Sequence, residues 1–451
     1  MEKAYQRIKF LFMIALLWAF MLPIASSFAL SLISDEETEV FLAETVRPLF
    51  LAAGLSFDTR RIFIVNDKAL NAFVSDGNNM FVTSGTIMNA DSQNELMGVL
   101  AHETGHIEGG HILRHKIKTR EVETISLASM LLGGAAGLAA GRADVSLAAI
   151  LGAQGQAYAS LLSYQVSEER SADEAAVKLL KQVNQSPRGL FNFMKKIQKQ
   201  NTLQGIEESS YFRTHPVTSE RLSFLEKATR DYKGNPAGRE ENDFLRVKAK
   251  LYAYISEPKK TFIKYKENDT SIPARYARTI AHFKQLKMKE ALADIQGLIE
   301  EEPNNPYFWE LKGQMLLETS RIAPAVEAYR QALKLHPDSA IFKLNLAQAL
   351  LENSPDEATQ GQIVNLLNQV LIYNPNSYAW ILLSRAYGLQ KDAAGYNYAA
   401  AQASFLSGDL RLAKKQLQQA LQSSPSQAIR LKADDLMQRI SDEEKKSAQS
   451  R

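Results

Sequence analysis

Apolar residues recur at two different periods along the first part of the chain, and each change of period marks an element. Residues 36–57 carry them at helical spacing, whereas Arg61-Ile62-Phe63-Ile64-Val65 is a β-branched and aromatic run of strand type. Asn66-Asp67 marks a turn, and a second extended stretch runs from Asn71 to Ser75. Asp76-Gly77-Asn78-Asn79 then signals a hairpin into Met80-Phe81-Val82-Thr83, which Ser84-Gly85-Thr86 breaks. From Asp91 to about His115, Leu96, Val99, Leu100, Ile107 and Ile112 predict one helix, with Asp91 or Ser92 as N-cap. Between Thr124 and Ser167 charge nearly disappears, leaving only Arg142 and Asp144 in a segment rich in Ala, Gly, Leu and Ser. Its glycines interrupt a membrane span, so it reads as a buried hairpin or a flap lying on a membrane surface in preference to the remaining alternative, a bilayer span that would make the enzyme membrane-embedded. A further helix covers Ser167 to about Val183, ended by Gln185-Ser186-Pro187-Arg188-Gly189.

From Ile272 onward small and large apolar residues alternate in longer units. Trp309, Gly313, Ala325, Tyr329, Ala332 and Pro337 stand at the six signature offsets of a tetratricopeptide repeat. Ala291, Ile295, Leu298 and Pro303 occupy corresponding offsets one unit earlier, and Pro303 to Pro337 spans 34 residues, the length of that repeat. Later units are less regular: Pro337 to Pro375 is 38 residues and Pro375 to Pro425 is 50, although Ala413, Leu417, Ala420 and Pro425 restore the pattern. Stacked helix pairs of this kind build a concave surface suited to extended partners.

The chain has 451 residues, more than one hydrophobic core usually organises. Its net charge of +3 is spread out, with no basic run or aromatic-interleaved patch, so nucleic acid is not an expected partner. Cysteine is absent, which excludes disulfides, thiolate ligands and a thiol nucleophile. At the N-terminus Lys3, Arg7 and Lys9 precede an uncharged run from Phe10 to Leu30, and Ser27-Phe28-Ala29 resembles a processing site. Residues 1–29 therefore read as a secretory signal peptide, and the alternative is one uncleaved membrane anchor.

His102-Glu103-Thr104-Gly105-His106 places two imidazoles one helical turn apart, where both reach one ion, with Glu103 beside them. A catalytic zinc needs a third protein ligand and an open position for water. A histidine at 112 would supply it in the metzincin spacing, but Ile112 stands there. The remaining pattern is a glutamate on a later helix, and Glu169-Arg170-Ser171-Ala172-Asp173 offers Glu169 as ligand, with Asp173 on the same face to accept the free N–H of a ligand histidine. Taken without the upstream motif, those two acids read as an ordinary charged helix surface beside Glu168, Arg170 and Glu174.

These motifs resemble the HtpX and CAAX-prenyl-protease type of gluzincin metallopeptidase, and the signal peptide and repeats resemble its BepA-like periplasmic branch. The resemblance implies a zinc ion on His102, His106 and Glu169, with Glu103 as general base. It also assigns Thr214-His215-Pro216 and Arg221 to a family element. His215 then either stabilises the oxyanion or plugs the open metal position, and His111 is structural rather than a ligand. The strand Asn79, Met80, Phe81, Val82, Thr83 is the candidate edge along which substrate adds as an extra strand.

The expected fold is α+β: a mainly helical zincin-type peptidase domain with a small β-sheet, then an α-helical tetratricopeptide solenoid. The expected divisions are 1–29 signal peptide, 30–235 peptidase, 236–271 linker helix region, 272–427 repeats and 428–451 capping helix with a polar tail. The resemblance further implies a periplasmic enzyme, membrane-anchored if its leader is uncleaved. Its substrates are unfolded or misassembled envelope proteins, and outer-membrane assembly machinery is a partner of the repeats. Peripheral membrane contact falls to residues 124–167. The competing expectation is a chaperone or scaffold that works through its repeats with the zinc site plugged.

Overall fold

The computed structural model describes residues 31–58, 61–121, 123–124, 143–204, 214–230, 232, 239–373 and 375–449. The expected signal peptide and residues 125–142 of the Ala/Gly-rich segment lie outside them. Among the described residues no helix is long and apolar enough to cross a membrane.

Among the described residues four strands form one sheet in the order β1-β2-β4-β3, namely β1 Leu32–Ile33, β2 Ile62–Val65, β4 Asn79–Thr83 and β3 Ala72–Ser75. The β3–β4 hairpin turns at Gly77 (φ 77°) and Asn78 (φ 61°), the left-handed conformations that this dipeptide supplies cheaply. β2 runs parallel to β4, pairing Ile62 with Met80 through Val65 with Thr83, and β3 runs antiparallel on β4's other side. β4 is therefore interior, and the expected substrate edge at Asn79, Met80, Phe81, Val82 and Thr83 is corrected: both rows of its backbone groups are already paired. Phe63, Phe81 and Phe73 stack across one face with ring centroids 4.9 Å apart. Ile64, Met80 and Val82 turn from the other face into the main core.

Helix α1, Glu36–Ala52, is capped by Asp35 and stops short of the expected residue 57 because Gly54 takes φ 70°. α2, Ser84–Asn89, forms where only a break was expected, its first turn capped by the Thr83 hydroxyl. The expected helix from Asp91 to His115 is two helices: α3, Gln93–Glu108, capped by Ser92, and α4, residues 111–121. Gly110 at φ 62° divides them. α5 spans Ala143–Gln182, beginning well before the expected Ser167, and α6 (Arg188–Gln204) and α7 (Ser219–Arg230) follow. Leu42, Val46 and Leu49 of α1, Leu96, Val99 and Leu100 of α3, and Phe193 of α6 are fully buried with the inner sheet face in this first core.

α8, Arg239–Ile255, divides its apolar residues between two cores. Phe244, Val247 and Leu251 join the first, while Ala249 and Ala253 pack against Tyr276, Ile280 and Phe308 of the repeats. After the short α9, Pro258–Lys264, the repeats run as α10 Ile272–Lys284, α11 Met288–Glu301, α12 Pro306–Glu318, α13 Ile322–Leu335, α14 Ala340–Glu352 and α15 Glu357–Tyr373. The signature offsets have a steric basis: a side chain at Gly313 would begin 2.8 Å from the Tyr329 ring. The irregular spacings do too, since α15 has 17 residues against 14 in α13. Between Pro375 and Pro425 lie three helices rather than two, α16 Ser377–Leu389, α17 Ala393–Leu406 and α18 Leu410–Gln422, before the closing α19, Gln427–Gln449.

Acids at the start of α1 tie the repeats to the first core. Glu37, 1% exposed, meets Arg246 Nε at 2.5 Å, Lys250 Nζ at 3.3 Å and the donating Tyr276 hydroxyl at 3.2 Å. His336 Nε2, just past α13, lies 3.2 Å from Glu36. Beside this junction a cleft of about 1020 Å³ opens between Ile33, Asp35 and Lys68 on one side and Glu310, Tyr329 and Asn345 of the repeats on the other.

Candidate active site

α3 and α5 pack in close contact where the chemistry-bearing residues stand. A β-carbon on Gly105 would lie 2.7 Å from the carbonyl oxygen of Ala172, so only glycine allows the contact. Gly105 sits between His102 and His106 on α3, and Ala172 sits between Glu169 and Asp173 on α5. The crossing therefore turns two imidazoles on one helix toward two carboxylates on the other.

His102, His106, Glu169 and His215 each offer a ligand atom within 4.8 Å of the others, and all four residues are buried. His102 Nε2 and His106 Nε2 are 3.1 Å apart. Glu169 Oε2 lies 3.3 Å from the first and Oε1 lies 3.2 Å from the second. Metal–ligand bonds of about 2.0–2.1 Å at tetrahedral angles require ligand atoms about 3.3 Å apart, so this triangle of two imidazoles and one carboxylate, with one carboxylate oxygen turned to each histidine, suits such an ion. His215 Nδ1 lies 2.9 Å from Glu169 Oε1 and its Nε2 lies 3.6 Å from Glu103 Oε1, putting the ring over the side that the other three leave open. Gln165 on α5 donates to the backbone oxygen of Thr214 at 3.0 Å and holds that segment in place.

Behind the triangle, His102 Nδ1 lies 2.9 Å from Asp173 Oδ1, within ion-pair range but off the line of a good hydrogen bond. Arg221 of α7 grips Asp173 with two nitrogens, Nε at 2.6 Å and Nη2 at 2.9 Å, while its Nη1 reaches Glu169 Oε2 at 2.9 Å. Such a fork ties both acids of α5 to one guanidinium. Glu169 is 2% exposed and Asp173 is fully buried, whereas their neighbours Arg170 and Glu174 pair on the open surface. The charged-surface reading thus describes Arg170 and Glu174 and not these two, nor Glu168, which is buried as well.

Burial sets the charges. It opposes ionisation of Glu169, but His215, His102 and His106 outweigh it and hold that carboxyl well below the usual range. Burial likewise works against a charged His102, yet Asp173 and Glu169 push it up to about 9. His106, with burial reinforced by its cationic neighbours, is pushed down to about 3. Glu103 is fully buried with neither carboxyl oxygen hydrogen-bonded, and desolvation, aided by the charge on Glu169, raises its pKa. A carboxylate in that state has a strong tendency to take a proton.

The structure brings His102, Glu103, His106, Glu169, Asp173, His215 and Arg221 into one cluster. It leaves the β4 residues engaged elsewhere: Thr83 Oγ1 lies within hydrogen-bond distance of the backbone oxygens of Ala69 and Asn71, either of which can accept its one proton, Asn79 Nδ2 donates to Asp76 O, and Phe81 lies between two other rings. Two glycines complete the cluster. Gly105 permits the helix crossing, and Gly109 faces the His111 ring, which packs behind His106 with Nδ1 to Nδ1 at 3.0 Å. Both glycines lie in or just after the pentapeptide, and their presence there was the available signal.

Residues 36–229 match the model of Peptidase family M48. The chain is 24% identical over 336 residues to the beta-barrel assembly-enhancing protease of Yersinia pestis, covering 73% of this chain and 68% of that protein. Against the protein of the same name from Escherichia coli (strain K12) it is 23% identical, covering 72% and 66%. Metalloprotease LoiP of that strain is 30% identical over 35% of this chain and 58% of its own. The aligned part spans about two thirds of the two longer relatives. Joined to a buried cluster that suits a metal ion, these matches identify residues 36–229 as a metallopeptidase domain of Peptidase family M48, in a chain homologous over most of its length to beta-barrel assembly-enhancing proteases.

Proposed function

We propose that the chain is a zinc endopeptidase of the bacterial cell envelope that cleaves misfolded or stalled outer-membrane proteins, with His102, His106 and Glu169 as zinc ligands and Glu103 as general base. The observation that carries the reading is the triangle of two imidazoles and one carboxylate, with contacts of 3.1–3.3 Å between them, closed over a buried glutamate whose carboxyl oxygens make no hydrogen bond. Two imidazoles and one carboxylate with an open fourth side are the donor set of a catalytic zinc. When bound, that ion supplies Lewis acidity, lowering the pKa of a water and polarising the scissile carbonyl. Glu103, its own pKa raised, takes the proton from the attacking water and hands it to the leaving amine. Asp173 orients His102, and Arg221 holds Asp173 and Glu169 together. The names of the relatives in Yersinia pestis and Escherichia coli, which speak of beta-barrel assembly, support the choice of substrate, and the leader-like residues 1–29 support a periplasmic location. The repeats, with the cleft at their junction, are our candidates for holding an extended client or docking to assembly machinery.

A second reading draws on one specific contact. His215, 2.9 Å from Glu169, stands where a water or substrate carbonyl would enter, so a resting enzyme whose repeats act as a chaperone fits the same geometry. Zinc analysis and casein cleavage by wild type, Glu103→Gln and His215→Ala test both. Metal content near one per chain with cleavage lost in Glu103→Gln supports the peptidase, and cleavage surviving Glu103→Gln overturns the assignment of the base. Greater activity in His215→Ala supports a plug, and lost activity supports oxyanion stabilisation. If Glu103→Gln performs the cellular task in full, the scaffold reading prevails.

A further inference from the structure

We infer that His111 is a positioning residue for the metal site: its imidazole accepts a hydrogen bond from His106 and thereby fixes the only tautomer of His106 that can bind an ion through Nε2. The inference rests on the zinc-site reading above. His106 turns Nε2 toward the cluster, 3.1 Å from His102 Nε2 and 3.2 Å from Glu169 Oε1. Its Nδ1 points the opposite way, 3.0 Å from Nδ1 of His111, with the two rings nearly perpendicular at 83°. A neutral imidazole carries one proton, on one nitrogen or the other. If His111 Nδ1 donated, the proton of His106 would sit on Nε2 and block coordination. If His111 Nδ1 accepts, His106 carries its proton on Nδ1 and leaves the Nε2 lone pair for the metal. Acceptors behind ligand histidines commonly perform this task.

The backbone is built to seat that acceptor. α3 ends at Glu108, Gly110 turns the chain through φ 62°, and α4 starts with His111 folded back beneath His106. His111 is 3% exposed, and its Nε2 would lie 2.3 Å from a β-carbon on Gly109. Glycine at 109 is thus what allows the ring to enter, because the Gly109 backbone at φ −71° is open to any residue. His102 and His106 are served by unlike partners in this scheme, a carboxylate for the first and a neutral ring for the second.

The test is zinc affinity by competition with a chromogenic chelator, with the visible spectrum of the cobalt-substituted protein, for wild type, His111→Phe, His111→Gln and Gly109→Ala. His111→Phe keeps a ring and removes the acceptor, and Gly109→Ala displaces an unchanged His111. Both are expected to bind zinc about 10–100-fold more weakly and to shift the cobalt bands. His111→Gln, which offers an amide oxygen, recovers part of the affinity. Thermal melts of the metal-free proteins show whether folding is kept, and if His111→Phe does not fold, Gly109→Ala decides. Wild-type affinity and spectrum in the folded variants overturn the inference while leaving the zinc site standing. A wild type that binds no zinc removes both.

Discussion

Gly105→Ala separates helix packing from catalysis better than any change to a ligand. The new methyl would start 2.7 Å from Ala172 O and 3.1 Å from Ala175 Cβ, whereas a carbon and a carbonyl oxygen rest about 3.3 Å apart at their closest. α3 and α5 must therefore part by about 0.6 Å. His102 and His106 ride on one helix and Glu169 on the other, so the 3.2 and 3.3 Å sides of the triangle lengthen by a similar amount. Metal–ligand distances tolerate only about 0.2 Å, which allows roughly 0.3 Å per side of the triangle. One bond is lost or badly stretched, and zinc affinity falls about 10–100-fold. Global stability moves little by comparison: alanine is better in a helix than glycine by about 1 kcal/mol, against an overpacking cost of about 1–3 kcal/mol. Chelator competition for zinc, casein cleavage and a urea melt of the metal-free protein together read this out. A variant that melts like wild type but binds zinc weakly fits the reasoning, and one that binds zinc as wild type does refutes it.

Arg221→Ala leaves the buried Asp173 and Glu169 without their shared cation and is expected to cost about 3–5 kcal/mol in a urea melt, with Arg221→Lys intermediate because it cannot make the fork. Metal removal by a chelator should abolish cleavage and lower stability by about 2.7 kcal/mol relative to protein held at a hundredfold excess of zinc over its Kd, measured as a melting shift that zinc reverses and magnesium does not. His336 titrates above its ordinary value, chiefly through its contact with Glu36. A raised histidine stabilises fully below about pH 6.5 and loses its contribution as pH climbs through the folded value. Wild type should therefore exceed His336→Gln in melting temperature at about pH 5.5 and match it at about pH 8.5, and a pH-independent difference counts against the contact.

The residues of the cluster were legible wherever local spacing carried the information. His102 and His106, four apart on α3, and Glu169 and Asp173, four apart on α5, share faces by helical geometry alone. The place of His215 came from resemblance, because no periodicity in residues 214–218 says which side of the cluster the loop will cover. The break after Glu108 leaves no mark in the apolar pattern, because Leu96 through Ile112 keep helical spacing across Gly109 and Gly110, and the φ of Gly110 turns the chain. β4 departs from its expected edge position for a different reason. The hairpin to β3 is a local event, but the parallel pairing to β2 joins residues 18 positions apart, as Ile62 and Met80 show, and sheet order of that kind is set by tertiary packing. The repeats were readable where small residues meet large ones, as Gly313 meets Tyr329, and less so where a third helix shifts the phase after Pro375.

α8 gives Phe244, Val247 and Leu251 to one core and Ala249 and Ala253 to the next, along a single helix. A chain cut just before α8 would open a hole in its own interior, and repeats expressed without α8 would lose one wall of theirs. Anyone grafting these repeats onto another enzyme, or trading this peptidase for a relative's, must therefore carry the helix as a shared part and match both of its faces. The chain is assembled less like beads on a string than like two rooms with a common wall.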